Sequence, residues 1–470
     1  MRERLPRAAR QSWPLALILS AAVVGYAPAV ASPFWLDDYF YLVAARDLST
    51  ADYARAVFTP WSSEPLLPFT RDFWRPLAFL AFELLEPAAG GRSWPYHLLV
   101  LAGHLAAVVL TWAIAARIDP RPPVRVIAAG IVALHPGPYQ AVAWVSSVNS
   151  LALPLALVAW LAFLAATPPG QPVRWRLVGL SAALLALGAM TREGAWVAVP
   201  VLAAWHVAVT ARWQLRRRET WLPLLPFAAL AALYVVIRTR GFTEPLANRE
   251  IFDWRGSHTW RNYRACLEFL LFPFREQLGG LAGWRHTLQQ LSIPVVPLLA
   301  LGSAALRRWP PAILLGGALL SLLAVAPNQL GIGPRYLYFT IPWLALGLAT
   351  LAADLLERFP RVPRALPAAA GVAAIILAAV ALNDRVADWT RWGPGEQQRW
   401  VDALRAEYPD LPPGTTVYAG GNVPGWLTVF GGVNLGPAVR WYYPEAAGAV
   451  YVPPGEIPEL GPGDVLFIAP

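Results

Sequence analysis

Long apolar runs, separated by short polar turns, recur along the first 382 residues of this chain. A helix needs about 20 apolar residues to cross a hydrocarbon core of about 30 Å. The runs near 13–31, 95–116, 124–136, 147–166, 175–190, 195–211, 221–238, 292–306, 311–327, 336–354 and 365–382 therefore predict about eleven membrane-spanning helices. After residue 383 the pattern changes. Strand-like runs at 415–419, 427–430, 439–443, 449–452 and 464–468 alternate with Pro- and Gly-rich turns, behind a helix near 396–407. The predicted fold class is an all-α polytopic membrane protein closed by a small α+β domain. Residues 1–382 form the transmembrane domain, with large polar segments at 32–94 and 239–291, and residues 383–470 form the tail domain.

Composition agrees with that reading. The 470 residues are 57% hydrophobic and only 14% charged, and the 23 Trp suit a membrane–water boundary. All 38 cations are arginine, which carries no functional message, but their positions do. With the N-terminus in the cytoplasm, the inside segments hold 18 arginines, in clusters such as Arg117, Arg121, Arg125 and Arg216, Arg217, Arg218. The short outside turns hold two, Arg192 and Arg335. Cations in short loops stay inside. The expected orientation therefore puts the N-terminus in the cytoplasm and the segments 32–94, 239–291 and 383–470 outside the cytoplasmic (inner) membrane. The net charge of +9 then reflects topology beside anionic lipid, and no nucleic-acid partner is expected. The first run has a basic flank like a signal peptide, and it is read as an uncleaved span. The single Cys266 excludes an intramolecular disulfide and reads as a buried apolar residue.

Candidate chemistry lies at the predicted outer face. No phosphate-binding glycine loop, zinc-protease helix motif or nucleophile elbow is present. Asp37 and Asp38, beside Trp35, Tyr39, Phe40 and Tyr41, directly follow the first span. Adjacent carboxylates, partly desolvated, suit a general base and a substrate-binding partner, although helix capping explains them equally well. Arg75 heads an amphipathic stretch, and His97 and His104 lie seven residues apart on one face of the second span. Polar groups inside a span are costly and default to functional candidates. With His135 they lack metal-ligand spacing, so interhelical hydrogen bonding is the expected role and no metal site is predicted. Thr191-Arg192-Glu193 reads as a turn with a local ion pair. Arg335, next to Tyr336 in an otherwise cation-poor outer turn, suits a phosphate held at headgroup depth.

Four motifs in this order resemble those of the GT-C superfold of membrane glycosyltransferases, whose members include protein O-mannosyltransferases and aminoarabinose transferases. They are Asp37-Asp38-Tyr39, Arg75-Pro76-Leu77 with His97 and His104, Leu134-His135-Pro136 leading to Trp144-Val145-Ser146, and Arg335-Tyr336-Leu337-Tyr338. The resemblance covers roughly residues 13–355 and is nearest to relatives in which a TPR domain follows the spans. Here Arg192-Glu193 stands where those relatives often carry Lys-Glu, and an α+β tail replaces the repeats, so their acceptor preference does not transfer.

The resemblance implies transfer of a sugar from a polyprenyl-phosphate donor to an extracytoplasmic acceptor (protein, lipid or glycan), with inversion. It assigns Asp37 or Asp38 as general base and the other as acceptor ligand. Arg335 and Tyr336 would serve the lipid phosphate, with Glu193, Arg75, His97 and His104 in support. The residues agree independently, since nucleotide sugars are absent outside and a lipid-borne donor needs an apolar groove, a cation and a carboxylate. No cofactor is expected, and a divalent-metal requirement stays open. Two alternatives are a transporter or flippase of lipid-linked sugars, which usually shows repeated halves, and a non-catalytic assembly factor.

Overall fold

The computed structural model describes residues 7–59, 74–241, 256–271, 287, 290–327, 333–358, 365–420, 436–452, 455–456 and 458–468. Its helices are α1 Arg7–Val30, α2 Asp38–Asp47, α3 Thr50–Phe58, α4 Pro76–Ala89, α5 Trp94–Ile118, α6 Pro122–Leu134, α7 Gln140–Ala143, α8 Asn149–Ala166 and α9 Trp175–Thr191. They continue with α10 Ala198–Trp205, α11 Arg218–Trp221, α12 Leu225–Gly241, α13 Ser257–Leu271, α14 Val295–Ala305, α15 Trp309–Leu323, α16 Ile341–Arg358, α17 Ala365–Trp392, α18 Pro394–Glu407 and α19 Pro437–Tyr442. Three strands, β1 Thr416–Gly420, β2 Gly448–Tyr451 and β3 Val465–Ile468, form one parallel sheet in the order β2-β1-β3.

Every predicted apolar run falls on a helix, as a multi-pass membrane protein requires, because backbone groups in lipid must bond within their own segment. Among the described residues, six helical stretches are long and apolar enough to cross a membrane. The apolar helices Pro122–Leu134, Trp175–Thr191, Gln290–Ala305 and Trp309–Leu323 are shorter. The run expected to end at 382 continues as helix to Trp392. In the tail the strands expected at 415–419, 449–452 and 464–468 are present within a residue of their bounds. The one expected at 439–443 is instead the helix α19, because left-handed Gly436 (φ 46°) and Pro437 at the first helical position start a helix there. The run at 427–430 lies outside the described residues.

The chain divides into two compact units. The first comprises Met1–Ala27, Val100–Val142 and Ser147–Arg385. Within it α8 and α9 form a close hairpin, in which Ser181 Oγ donates to the Ala159 carbonyl at 2.5 Å. Arg121 grips Asp119 through two nitrogens and reaches Asp354 at 2.8 Å, while Arg308 also pairs with Asp354. This cluster gathers turns that the arginine pattern assigns to one side of the membrane.

Close helix approach in this unit depends on one glycine in particular. A Cβ on Gly103 of α5 would run into the Ser150 carbonyl at the start of α8, whereas one on Gly130 of α6 meets nothing within 4 Å. Glycine to alanine in a helix ordinarily gains about 1 kcal/mol. Gly130→Ala should therefore hold or raise the melting temperature in detergent. Gly103→Ala should lower it by the equivalent of about 1–3 kcal/mol, the usual cost of overpacking. Equal melting curves for the two would refute the close approach.

The second unit comprises Pro28–Leu99, Ala143–Ser146 and Val386–Pro470. Its aromatic core stacks Tyr41 on Phe79 (4.4 Å between rings) and Phe82 against Tyr96. The tail sheet packs through buried Val417, Ala419, Ala449 and Phe467. Arg46 of α2 donates to the carbonyls of Arg440 and Trp441 at 3.0 Å, and Arg440 pairs with Asp47. The segment after the first span and the tail thus share one body.

Candidate functional site

The candidate residues fall into two clusters, one in each unit. In the second unit the turn Trp35–Asp38 is built by its own acid. Asp38 Oδ2 accepts the Trp35 N–H and Oδ1 the Ser146 N–H, both at 2.8 Å. The Trp35 carbonyl accepts the Trp144 indole N–H at 3.3 Å, and the Trp35 ring packs on Trp144 and Trp389. Leu36 sits in the left-handed region at φ 45°, rare for a bulky residue. Its N–H donates to Gln397 Oε1 at 3.1 Å.

The two adjacent carboxylates consequently differ. Asp38 is 1% exposed with both oxygens engaged. Asp37 is half-buried at the N-cap of α2, and its side chain makes no capping bond. Capping therefore does not account for Asp37. Asp38 is therefore no residue of a surface loop, and its replacement by asparagine disturbs the turn. Asparagine would turn an amide N–H₂ toward one of two N–H donors, at about 1–3 kcal/mol.

Burial pushes the Asp38 carboxyl up to about 7, against its two N–H partners, and the nearby Asp37 charge adds to the rise. The sign of the linkage follows. A carboxyl raised on folding gives up stability as pH climbs from the ordinary carboxyl range, about 4, to its folded value, and no more above that. Between pH 4 and 7 the wild type should lose more thermal stability than Asp38→Asn, by up to a few kcal/mol. Parallel pH profiles of melting temperature would contradict the assignment.

Arg75 caps α4, with its carbonyl accepting the N–H groups of Ala78 and Phe79, and is 7% exposed. His97 is buried, its ring facing the carbonyls of Ser32 and Pro33.

In the first unit a cavity of about 630 Å³ opens among mostly apolar walls. Leu320, Leu323, Ala324 and Val325 from the end of α15 line it, with Trp196, Val197 and Pro200. Arg192, Glu193, Asn149, Arg335 and Tyr336 supply its polar lining. The 3₁₀ turn Pro334–Leu337 carries Arg335, whose carbonyl accepts from Asn149 Nδ2 at 3.2 Å. The Arg335 guanidinium lies 4.8 Å over the Tyr336 ring. Arg192, 8% exposed, donates to the Ser147 carbonyl at 3.2 Å and stands a long 4.0 Å from Glu193. A Cβ on Gly194 would strike the Phe339 ring, so glycine lets this turn close on the cavity wall. Two buried or half-buried guanidiniums against hydrocarbon can hold an anion attached to an apolar chain.

His104 lies in the same unit and bridges elements. Nδ1 meets the Tyr338 hydroxyl at 2.8 Å and Nε2 the Ala133 carbonyl at 3.2 Å. A carbonyl only accepts, so Nε2 carries the proton and Tyr338 donates to Nδ1. Both ring nitrogens are thus engaged within the protein. Arg335, Tyr336 and Glu193, expected to serve one ligand, all line this cavity. Arg192, read from the sequence only as a turn residue in a local ion pair, lines it too, as does Asn149. Arg192 was visible as the second arginine of the cation-poor turns. Among the described residues no three His, Cys, Asp or Glu side chains converge as a metal site.

No protein-family model and no curated protein matches the sequence. Solved structures do. The chain is similar to ArnT from Cupriavidus metallidurans bound to undecaprenyl phosphate, with a TM-score of 0.56 at 14% identity, over 95% of this chain and 86% of that one. It is also similar to the apo oligosaccharyltransferase of Archaeoglobus fulgidus, with a TM-score of 0.49 at 14% identity, over 94% of this chain and 64% of that one. At such identity the likeness is one of fold alone, and the chain has a fold like that of ArnT.

Proposed function

We propose that this protein is a membrane glycosyltransferase, moving a sugar from a polyprenyl-phosphate donor to an extracytoplasmic acceptor with inversion at the anomeric carbon. The observation that carries the reading is the hydrocarbon-walled cavity with Arg192 and Arg335 in its lining. Such a cavity suits a ligand with a charged head and an isoprenoid chain, and ArnT, bound to undecaprenyl phosphate, supplies the matching fold.

In this reading Asp37 removes the proton from the acceptor hydroxyl as the bond between the anomeric carbon and the phosphate oxygen breaks. Both electrons of that bond leave with the polyprenyl phosphate. Arg335 and Arg192 take up the charge that builds there, which a fixed guanidinium stabilises more in the transition state than in the ground state. Glu193 holds Arg192, and Tyr336 supports the Arg335 guanidinium. Asp38 fixes the turn that presents Asp37, with Arg75 and His97 packed in the same unit. His104 braces Tyr338 at the turn that follows Arg335.

The direct test supplies purified, reconstituted protein with polyprenyl-phosphate sugars and follows release of free polyprenyl phosphate. Turnover of nucleotide sugars instead would sink the reading. Mass spectrometry of lipid-linked sugars and surface glycans in a deletion strain should show the donor accumulating and one glycan lost. For orientation, reporter fusions at residues 216 and 420 should signal cytoplasm and exterior respectively. A cytoplasmic signal at 420 would mean an odd error in the number of spans.

A further inference from the structure

The tail domain has no place in the mechanism so far, yet it supplies the partner of the most unusual backbone position in the acid turn. Leu36 immediately precedes Asp37 and holds φ at 45°. Branched residues persist in that region only where surrounding structure enforces it, and such positions gather at functional sites. Four hydrogen bonds enforce this one. Trp35 is pinned on both sides of its peptide, by Asp38 and by Trp144. Asp38 is pinned by Ser146. Leu36 is pinned by Gln397 of α18, 361 residues away in sequence.

Gln397 is built for this task. It is 2% exposed on a helix whose other buried positions are mostly apolar, among them Trp400, Val401 and Leu404. Its Oε1 takes the Leu36 N–H, and its amide nitrogen faces the Tyr39 hydroxyl. Tyr39 in turn meets Tyr442 at 3.3 Å, and Tyr442 donates to Gln398 at 3.3 Å. A buried amide among hydrocarbon is costly unless its bonds are made. The one hydrogen bond of Gln397 runs to the N–H of the residue before Asp37, and its amide nitrogen, which makes no hydrogen bond, faces the hydroxyl of the residue after Asp38.

We infer that Gln397 is a positioning residue for Asp37: the tail domain holds Leu36 left-handed so that the Asp37 carboxylate is presented to the acceptor. The inference rests on the proposed glycosyl transfer, and it gives the tail a role in the reaction in place of an appended binding module. Displacing a reacting group by about 1 Å costs on the order of 10²-fold in rate.

The experiment compares full-length wild type with Gln397→Met, which keeps volume and removes the acceptor, and with Gln397→Met/Leu36→Gly. Glycine reaches the left-handed region without strain. Gln397→Met should lower kcat by about 10- to 100-fold with KM for donor and acceptor little changed. It should also speed hydrogen exchange of the Leu36 amide. The double variant should recover a substantial part of the lost kcat. Leu404→Ala, which opens a hole in the same helix, should lower the melting temperature without that fall in kcat per folded molecule. Wild-type kcat in Gln397→Met, or no recovery in the double variant, overturns the inference. If the wild type itself transfers no sugar, the functional reading fails on its own. Unchanged Leu36 exchange in Gln397→Met then still disproves the clamp.

Discussion

Asp37→Asn should cut sugar transfer by on the order of 10²–10⁴-fold, the usual worth of a general base, while the protein folds and purifies normally. The structural basis is the difference between two neighbouring acids. Asp37 is half-buried and does not cap α2, so asparagine at this position leaves the helix start intact. Asp38 is enclosed, and its oxygens close the turn from both ends. Asp38→Asn should accordingly show a different pattern, in which stability falls first and any loss of activity follows from a loosened turn. The two variants, measured for melting temperature and single-turnover rate on the same samples, separate chemistry from scaffolding. Near wild-type turnover in Asp37→Asn would remove it as the base, whatever Asp38→Asn does.

The second large effect concerns Arg335. Arg335→Ala should lower the single-turnover rate by about 10²–10³-fold, as when one fixed donor to a developing negative charge is deleted. Arg335→Lys should fall between the two, keeping the charge and losing the planar fork. The turn itself should survive either change, because Asn149 bonds the backbone carbonyl of Arg335 and not its side chain. The guanidinium rests on Tyr336 of the same turn. A drop in melting temperature with an unchanged rate per folded molecule would show that Arg335 serves the fold only, and the argument for a phosphate-linked donor would lose its main support. Arg192→Ala is the natural companion. If both guanidiniums face one phosphate, the double variant should lose less than the product of the two single losses.

How far the sequence carried depends on the range over which each feature is determined. Apolar runs such as 95–116 and 365–382 were legible because a span is a local property, set by about 20 consecutive residues. The run at 439–443 misled, since alternating apolar residues mimic a strand, and Gly436 with Pro437 decides the matter in favour of α19. The arginine count singled out Arg335 because, in the expected topology, an outside cation is conspicuous. The sequence did not separate Asp38 from Asp37, since nothing nearby in it reveals that Ser146 and Trp144 close over the turn. Gln397 was invisible for the same reason: on an amphipathic helix a single glutamine looks like one more solvated residue, and its partner is 361 positions away.

That separation sets an order of events during synthesis. At ~5–20 residues per second, α2 leaves the ribosome about 20–70 s before Gln397 exists. Through that interval the Leu36 N–H lacks its Gln397 acceptor, and the unit made of Pro28–Leu99, Ala143–Ser146 and Val386–Pro470 lacks its last segment. The acid turn is therefore made long before it can reach its final shape. Ribosome-arrested chains stopped before residue 386 should leave the α2 region open to protease, and chains carried through the tail should close it. In the proposed reaction, the group that takes the proton is in place only after the helix carrying Gln397 has been made.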